Sequence, residues 1–198
     1  MPVRLDIEFP DDNQIDLSPK FLTESDAVVT VRGRGNRLCV ESPLVANSAR
    51  LTLSGGAVIV IRMDSNLNGL TVSALADGAV VEIGAWCSFN GQSVITAHER
   101  AKITIGAFGL FGHGCRFAAS DVHKVIDVAS RERLNPPGDI SIGEHVWAAD
   151  NVTVLRNAVI GCDSVVGTGS LVRNAFPPNV SLAGVPARIV RTGVTWEF

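Results

Sequence analysis

The sequence predicts an all-β chain wound as a parallel β-helix, and three observations predict it. Every sixth residue from Ile142 is apolar: Ile142, Ala148, Val154, Ile160, Val166 and Val172. Four places further on in each six stand Val146, Val152, Ala158, Ser164 and Ser170, all small or β-branched. The same period returns upstream in two triplets, Ile105, Phe111, Phe117 and Ile83, Phe89, Ile95. A strand alternates its faces with period two, so an apolar period of six requires a corner in every repeat. Three sides then close a triangular coil of about 18 residues, and stacked coils pair as parallel strands about 4.8 Å apart. The apolar residue of each six points inward, and the small residue sits where a corner leaves little room.

The elements follow in chain order as one domain over 1–198. Residues 1–27 include FPDDNQIDLSPKFLTESDA, which has no repeat and is expected to cap the first coil. Capping is needed because an open coil end leaves strand groups unpaired. The β-helix is expected over 28–176. Its first part is looser, with β-rich runs at Val28–Val31, Leu38–Val40, Leu51–Leu53, Val58–Ile61 and Leu70–Ser73, read as irregular coils of 18 to 24 residues. From Ile83 to Ile105 is 22 residues, one coil of 18 with an insertion of 4. SDVHKVIDVASRERLNPPGD carries no six-residue period, so a loop over 121–139 is expected to interrupt the solenoid. Pro177, Pro178 and Pro186 break the period, and 177–198 is expected to leave the coil as a short C-terminal extension.

Composition narrows the function. Hydrophobic residues make up 46% and charged residues 19%, which argues against disorder. A net charge of −3 gives no electrostatic reason to expect nucleic acid. No apolar run approaches the roughly 20 residues that span a bilayer. The opening MPVRLDIEFPDDNQ does not read as a signal peptide, and the cytoplasm is the expected compartment. Cys39, Cys87, Cys115 and Cys162 form no C-x-x-C pair, so reduced and mostly buried thiols are expected.

The hexapeptide repeats, the SDVH loop, the HVW tripeptide and the ending PPNVSLAGVPARIVR resemble the left-handed parallel β-helix acyltransferases. The likeness is to the branch of galactoside and maltose acetyltransferases and capsule or lipopolysaccharide O-acetyltransferases. It covers roughly residues 80–192, and the irregular N-terminal coils resemble the polysaccharide members. The resemblance implies the left hand, which opposes the usual right-handed crossover. It also implies transfer of an acetyl group from acetyl-coenzyme A to a sugar hydroxyl of a polysaccharide, lipopolysaccharide or capsule precursor. A homotrimer with active sites between subunits is implied as well, with no metal.

By the same resemblance His123 is the general base, since an imidazole can take the hydroxyl proton near neutral pH. Trp147 matches the tryptophan beside the acetyl group. Asp121 ranks first as partner for the other imidazole nitrogen, ahead of Asp127 and Glu144. Ala148, Ala149, Asp150, Gly167 and Thr168 fall on positions that meet the pantetheine arm. Arg173 falls on another cofactor-contacting position, and Arg188 and Arg191 on those that hold the nucleotide phosphates, which suits the planar, always charged guanidinium. His113 is a candidate for lining the acceptor site, whereas His98 and His145 read as exposed and structural. Three other readings stand beside this one. An amino sugar of a sugar nucleotide could be the acceptor, which makes the reaction N-acetylation. A solenoid carbonic anhydrase would need a close histidine pair, which His113, His123 and His145 do not supply. A purely structural solenoid is the third.

Overall fold

The computed structural model describes residues 3–197. They form a parallel β-helix of triangular section, with three sheets as its sides. Sheets A and B each have eight strands among the described residues, and sheet C has six. One regular turn runs through Thr153–Leu155 in sheet A, Val159–Ile160 in sheet B and Val165–Val166 in sheet C, then returns to sheet A at Leu171–Val172. The inward residues are the predicted sixes. Ile142, Ala148, Val154, Ile160, Val166 and Val172 are all at most 3% exposed. Phe89 stacks on Phe111 at 4.8 Å between ring centres, and Phe111 meets Phe117 edge to face at 5.4 Å. These three rings fill the core just before the loop.

Register shows where the coils differ in length. Val154 pairs with Val172, an advance of 18 residues, while Ile95 pairs with Phe117, an advance of 22. Upstream the advances stay near that larger value: Val29 pairs with Leu51, Leu51 with Val72 and Val72 with Ile95. The added residues lie on one side of the triangle. From Ile105 in sheet B to Phe111 in sheet C, and from there to Phe117 in sheet A, the chain keeps its six-residue step. The step from Ile95 in sheet A to Ile105 in sheet B is longer. It carries two inward residues on each strand, Ile95 with Ala97 and Ile103 with Ile105. The insertion His98–Ala101 makes the corner between them.

That A-to-B corner also carries the loop. The chain leaves sheet A at Ala118 and re-enters sheet B at Ile140. The next corner toward sheet C is built the opposite way, from glycine. A Cβ on Gly106 would stand 2.6 Å from the backbone N of Glu144, and one on Gly143 would stand 2.6 Å from that of Cys162. Real Cβ atoms do not approach so closely, so the coil spacing itself selects glycine in this column.

The ends differ from the sequence expectation. Residues 1–27 are not only a cap. Arg4–Ile7 pairs in parallel with Asp26–Arg32 in sheet A, and Gln14–Leu17 pairs with Arg37–Val40 in sheet B. The β-helix therefore begins near residue 4, because RLDI and QIDL find ladder partners more than twenty residues away. The capping element is the short helix Pro19–Glu24. Ser18 accepts from the Phe21 amide at 3.2 Å, Pro19 opens the helix, and Phe21 is buried. At the other end Val180–Gly184 still belongs to sheet C, paired in parallel with Val165–Val166. Pro177 and Pro178 fit within a normal six-residue step from Phe176 to Leu182, so they do not end the coil. Only Ala187–Thr192 leaves the pattern, returning antiparallel along Val180–Gly184. Of the four thiols, Cys87 and Cys115 are buried, and burial pushes each up to about 11. Cys162 is exposed and Cys39 partly so.

The loop is tied to the corner insertion of the preceding coil. Arg133 grips Glu99 with both arms of its guanidinium, at 2.7 and 2.8 Å, and the Ser120 hydroxyl donates to the same carboxylate. The Arg133 hydrogen bonds, and after them that of Ser120, hold the Glu99 carboxyl down at about 2. A folded-state value below the unfolded value of about 4.3 means this pair stabilises the fold at neutral pH. That contribution falls away as pH drops from about 5 toward 2. Glu99→Gln should therefore flatten the acid limb of stability. Urea midpoints measured from pH 6 to pH 2.5 should converge for the variant and the parent at the low end. Parallel curves across the whole range would contradict this.

Candidate functional site

His123 lies on the loop, five residues beyond the last residue of the sheet A strand Arg116–Ala118. It is solvent-exposed, and among the described residues its ring makes no hydrogen bond. Its backbone is firmly held. The His123 amide donates to the Asp121 carbonyl at 2.6 Å across a tight turn whose middle residue, Val122, has φ 62°. A β-branched residue rarely adopts that conformation. The turn is closed from below by the Ser120 hydroxyl, which accepts the Val122 amide at 2.8 Å. Asn135, only 4% exposed, donates to the His123 carbonyl at 2.8 Å.

Among the described residues no hydrogen bond joins Asp121 to the His123 ring. Its Oδ2 accepts from Asn135 Nδ2 at 2.9 Å and from Arg156 Nε at 3.1 Å. The Asn135 hydrogen bond, with that of Arg156 behind it, keeps the Asp121 carboxyl below the usual range. Through these two partners the carboxylate ties the loop to the A-to-B corner. Asp127 is also occupied elsewhere, accepting the Ser130 amide at 2.7 Å and the Ala129 amide at 2.9 Å.

Below the loop the same corner holds a cavity of about 240 Å³, lined by Asp121, Leu155, Arg156, Asn157, Arg173 and Asn174. Arg173 thus stands apart from the other two predicted cofactor arginines. It sits where the A-to-B step shortens, with only four residues from Val172 to Phe176. Among the described residues it has no acidic partner.

Trp147 is on sheet C, which is the side of the triangle opposite the A-to-B corner. The indole is outward and 38% exposed, while the next residue, Ala148, is inward and 1% exposed. The Ala148 side chain is therefore part of the core and cannot face a cofactor; only its backbone could. Ala149, Asp150, Gly167 and Thr168 occupy the C-to-A corner, one coil above the other. The Gly169 amide donates to the Asp150 carbonyl at 2.9 Å, and the Gly167 amide to the Leu182 carbonyl at 2.8 Å. His113 is at this corner too, its amide donating to Asp150 Oδ1 at 2.8 Å. Arg188 and Arg191 are exposed on the last strand, beside Ala183 and Ser181 in the register. Two groups result. One is the loop corner with His123, Asp121 and Arg173. The other is sheet C and its far corner, with Trp147, Ala149, Asp150, Gly167, Thr168, Arg188 and Arg191.

His145 is structural as expected, and it brings in a residue the sequence reading missed. Its Nδ1 is 2.8 Å from Asp163 Oδ1, and its ring stacks on Trp196 at 4.4 Å. The Trp196 indole N–H donates to the His145 carbonyl at 2.8 Å and the ring lies 6.2 Å from that of Trp147. The chain end is thereby folded back beside the HVW strand. Among the described residues no group of His, Cys, Asp and Glu side chains could hold a metal ion. Among the described residues no helix is long and apolar enough to cross a membrane.

No family-level sequence profile matches the chain. Individual proteins do. A putative lipopolysaccharide biosynthesis O-acetyl transferase of Escherichia coli K12, WbbJ, is 48% identical over 79 residues, which is 40% of either chain. The chain thus spans well under half the length of the curated relatives it matches. The crystal structure of the polySia-specific acetyltransferase NeuO superposes with a TM-score of 0.89 at 24% identity, over 100% of this chain and 89% of that one. A hexapeptide-repeat acetyltransferase of Vibrio cholerae O1 biovar eltor, solved with acetyl-coenzyme A, gives 0.55 at 26% identity over 68% of this chain and 70% of that one. The likeness to NeuO establishes the fold and hand of the solenoid. The chain has the left-handed parallel β-helix fold of the hexapeptide-repeat acetyltransferases it is similar to.

Proposed function

We propose that the chain transfers acetyl from acetyl-coenzyme A to a saccharide hydroxyl, with His123 as general base. The observation that carries this reading is an exposed histidine whose backbone amide and carbonyl are both hydrogen-bonded, on the loop that interrupts the solenoid. A free imidazole on a rigid backbone is available to a substrate proton. It removes that proton as the sugar oxygen attacks the thioester carbonyl carbon. The C=O π bond opens to a tetrahedral oxyanion, and its collapse breaks the C–S bond. The imidazolium returns the proton to the departing thiolate, leaving a sugar ester and coenzyme A. No covalent enzyme intermediate is needed when both substrates are held together.

Acetyl-coenzyme A lies in this reading along sheet C and its far corner. Trp147 offers a flat face and one N–H beside the thioester arm. The exposed Arg188 and Arg191, without acidic partners among the described residues, suit the phosphates. Because His123 and Trp147 lie on opposite sides of one coil, a complete site takes them from two copies, which supports a homotrimer. An apolar edge favours such contact: Met63, Trp86 and Phe108 are each about half exposed along the B-to-C corner. The likeness to a putative lipopolysaccharide biosynthesis O-acetyl transferase and to a polysialic acid O-acetyltransferase supports a glycan acceptor, and a cytoplasmic enzyme fits this role.

Thiol release from acetyl-coenzyme A, followed against a panel of sugars, oligosaccharides and nucleotide amino sugars, tests the reading. His123→Ala should lower transfer about 10²- to 10⁴-fold; retention of more than about a third of the rate would remove His123 as base. Release only with amino sugars would move the reaction to N-acetylation. Arg188→Ala should raise the KM for acetyl-coenzyme A with kcat nearly intact, and an unchanged KM would place the phosphates elsewhere.

A further inference from the structure

We infer that Asn135, backed by the Glu99–Arg133 pair, is a positioning residue that sets the His123 turn. The inference rests on the reading of His123 as base but concerns different residues. Asn135 is the most enclosed polar side chain of the loop, 4% exposed, and three of its four side-chain hydrogen bonds reach the segment around His123. Its Nδ2 donates to the His123 carbonyl at 2.8 Å and to Asp121 Oδ2 at 2.9 Å. Its Oδ1 accepts the Val125 amide at 2.6 Å. One amide therefore holds the residue two before His123, His123 itself and the residue two after it. Removing the amide would take one hydrogen-bonding partner from each of these three groups.

The amide is in turn oriented from behind. Arg133 Nε approaches Asn135 Oδ1 at 3.5 Å while its two terminal nitrogens clasp Glu99. Glu99 belongs to the preceding coil, in the insertion that widens the A-to-B corner. It also receives the Ser120 hydroxyl, which supports the Val122 amide. The network thus runs from the rigid solenoid wall to both ends of the turn, and Val122 is kept at φ 62° between them. Such a backbone persists only when its surroundings over-determine it. Here the surroundings are Asn135 on one side and Ser120 with Glu99 on the other. Releasing them lets the turn relax and moves the imidazole, and a displacement near 1 Å is enough to cost about 10²-fold in rate.

The test has a kinetic arm and a spectroscopic arm. With the acceptor selected by the saccharide panel, Asn135→Ala should lower kcat roughly 10- to 100-fold and leave the KM for acetyl-coenzyme A within about twofold. In the His123→Ala background the same change should cost nothing further, because a group acting through His123 has nothing left to act on. Independently of any substrate, the ring resonance of His123 in histidine-labelled protein, assigned by its loss in His123→Ala, should broaden or double in Asn135→Ala. Those of His113 and His145 should stay in place. Should Asn135→Ala fail to fold, Glu99→Gln carries the same expectations with a smaller loss. Unchanged kcat and an unmoved His123 resonance would overturn the inference, as would an equal loss in the His123→Ala background. If His123→Ala itself stays active, the base assignment fails, while the resonance still reports whether Asn135 holds the turn.

Discussion

Parallel pairing between successive coils is the constraint on which the rest of the molecule depends. Each strand must lie in register with the strand one coil away, so an added residue cannot be absorbed within a ladder. It must go out at a corner. In this chain the corners are not equivalent. The B-to-C corner is closed by glycines whose Cβ positions are already taken by the next coil. The A-to-B corner takes the added residues, first as the short insertions of the wide coils and then as the loop. Its position puts His123 on the edge of the prism, with its backbone tied to the wall by Glu99, Arg133 and Asn135.

The same constraint divides the chemistry. The loop corner and sheet C are on opposite sides of a triangular coil, so the proposal draws the base and the thioester-binding tryptophan from different chains. On the proposed reading, each chain supplies half of an arrangement that repeats around an assembly. It also accounts for the rigidity of both halves. The loop is anchored by a buried amide and a bidentate ion pair, and the HVW strand is braced by the chain end through His145, Asp163 and Trp196.

Much of this was legible in the sequence, for physical reasons that also explain the rest. From Ile140 to Val172 each six supplies one inward residue, so counting alone locates the coils. The loop was legible as the place where that count stops. The first coil was not, because RLDI and QIDL are short, lie at the open end and leave Leu5 44% exposed; only their ladder partners define them. Pro177 and Pro178 suggested an end to the coil, yet proline is tolerated at a corner that requires no ladder amide there. The contacts of Asp121 were hidden for a similar reason. Proximity to His123 in sequence suggested an orienting contact, whereas its partners are 14 and 35 residues away. A weak signal for the clamp was present in the charge of HER against that of RER, but Asn135 and Trp196 carried none, since neither belongs to a period or a motif.

The claim that the site is shared between copies is tested most directly by mixing two inactive variants. His123→Ala and Trp147→Ala chains, co-expressed so that they assemble together, would each supply what the other lacks at some of their contacts. Acetyl transfer well above that of either variant alone is the predicted result. A mixed assembly no more active than its separate components would contradict the account and require His123 and Trp147 to serve one chain, or one of them to play no part.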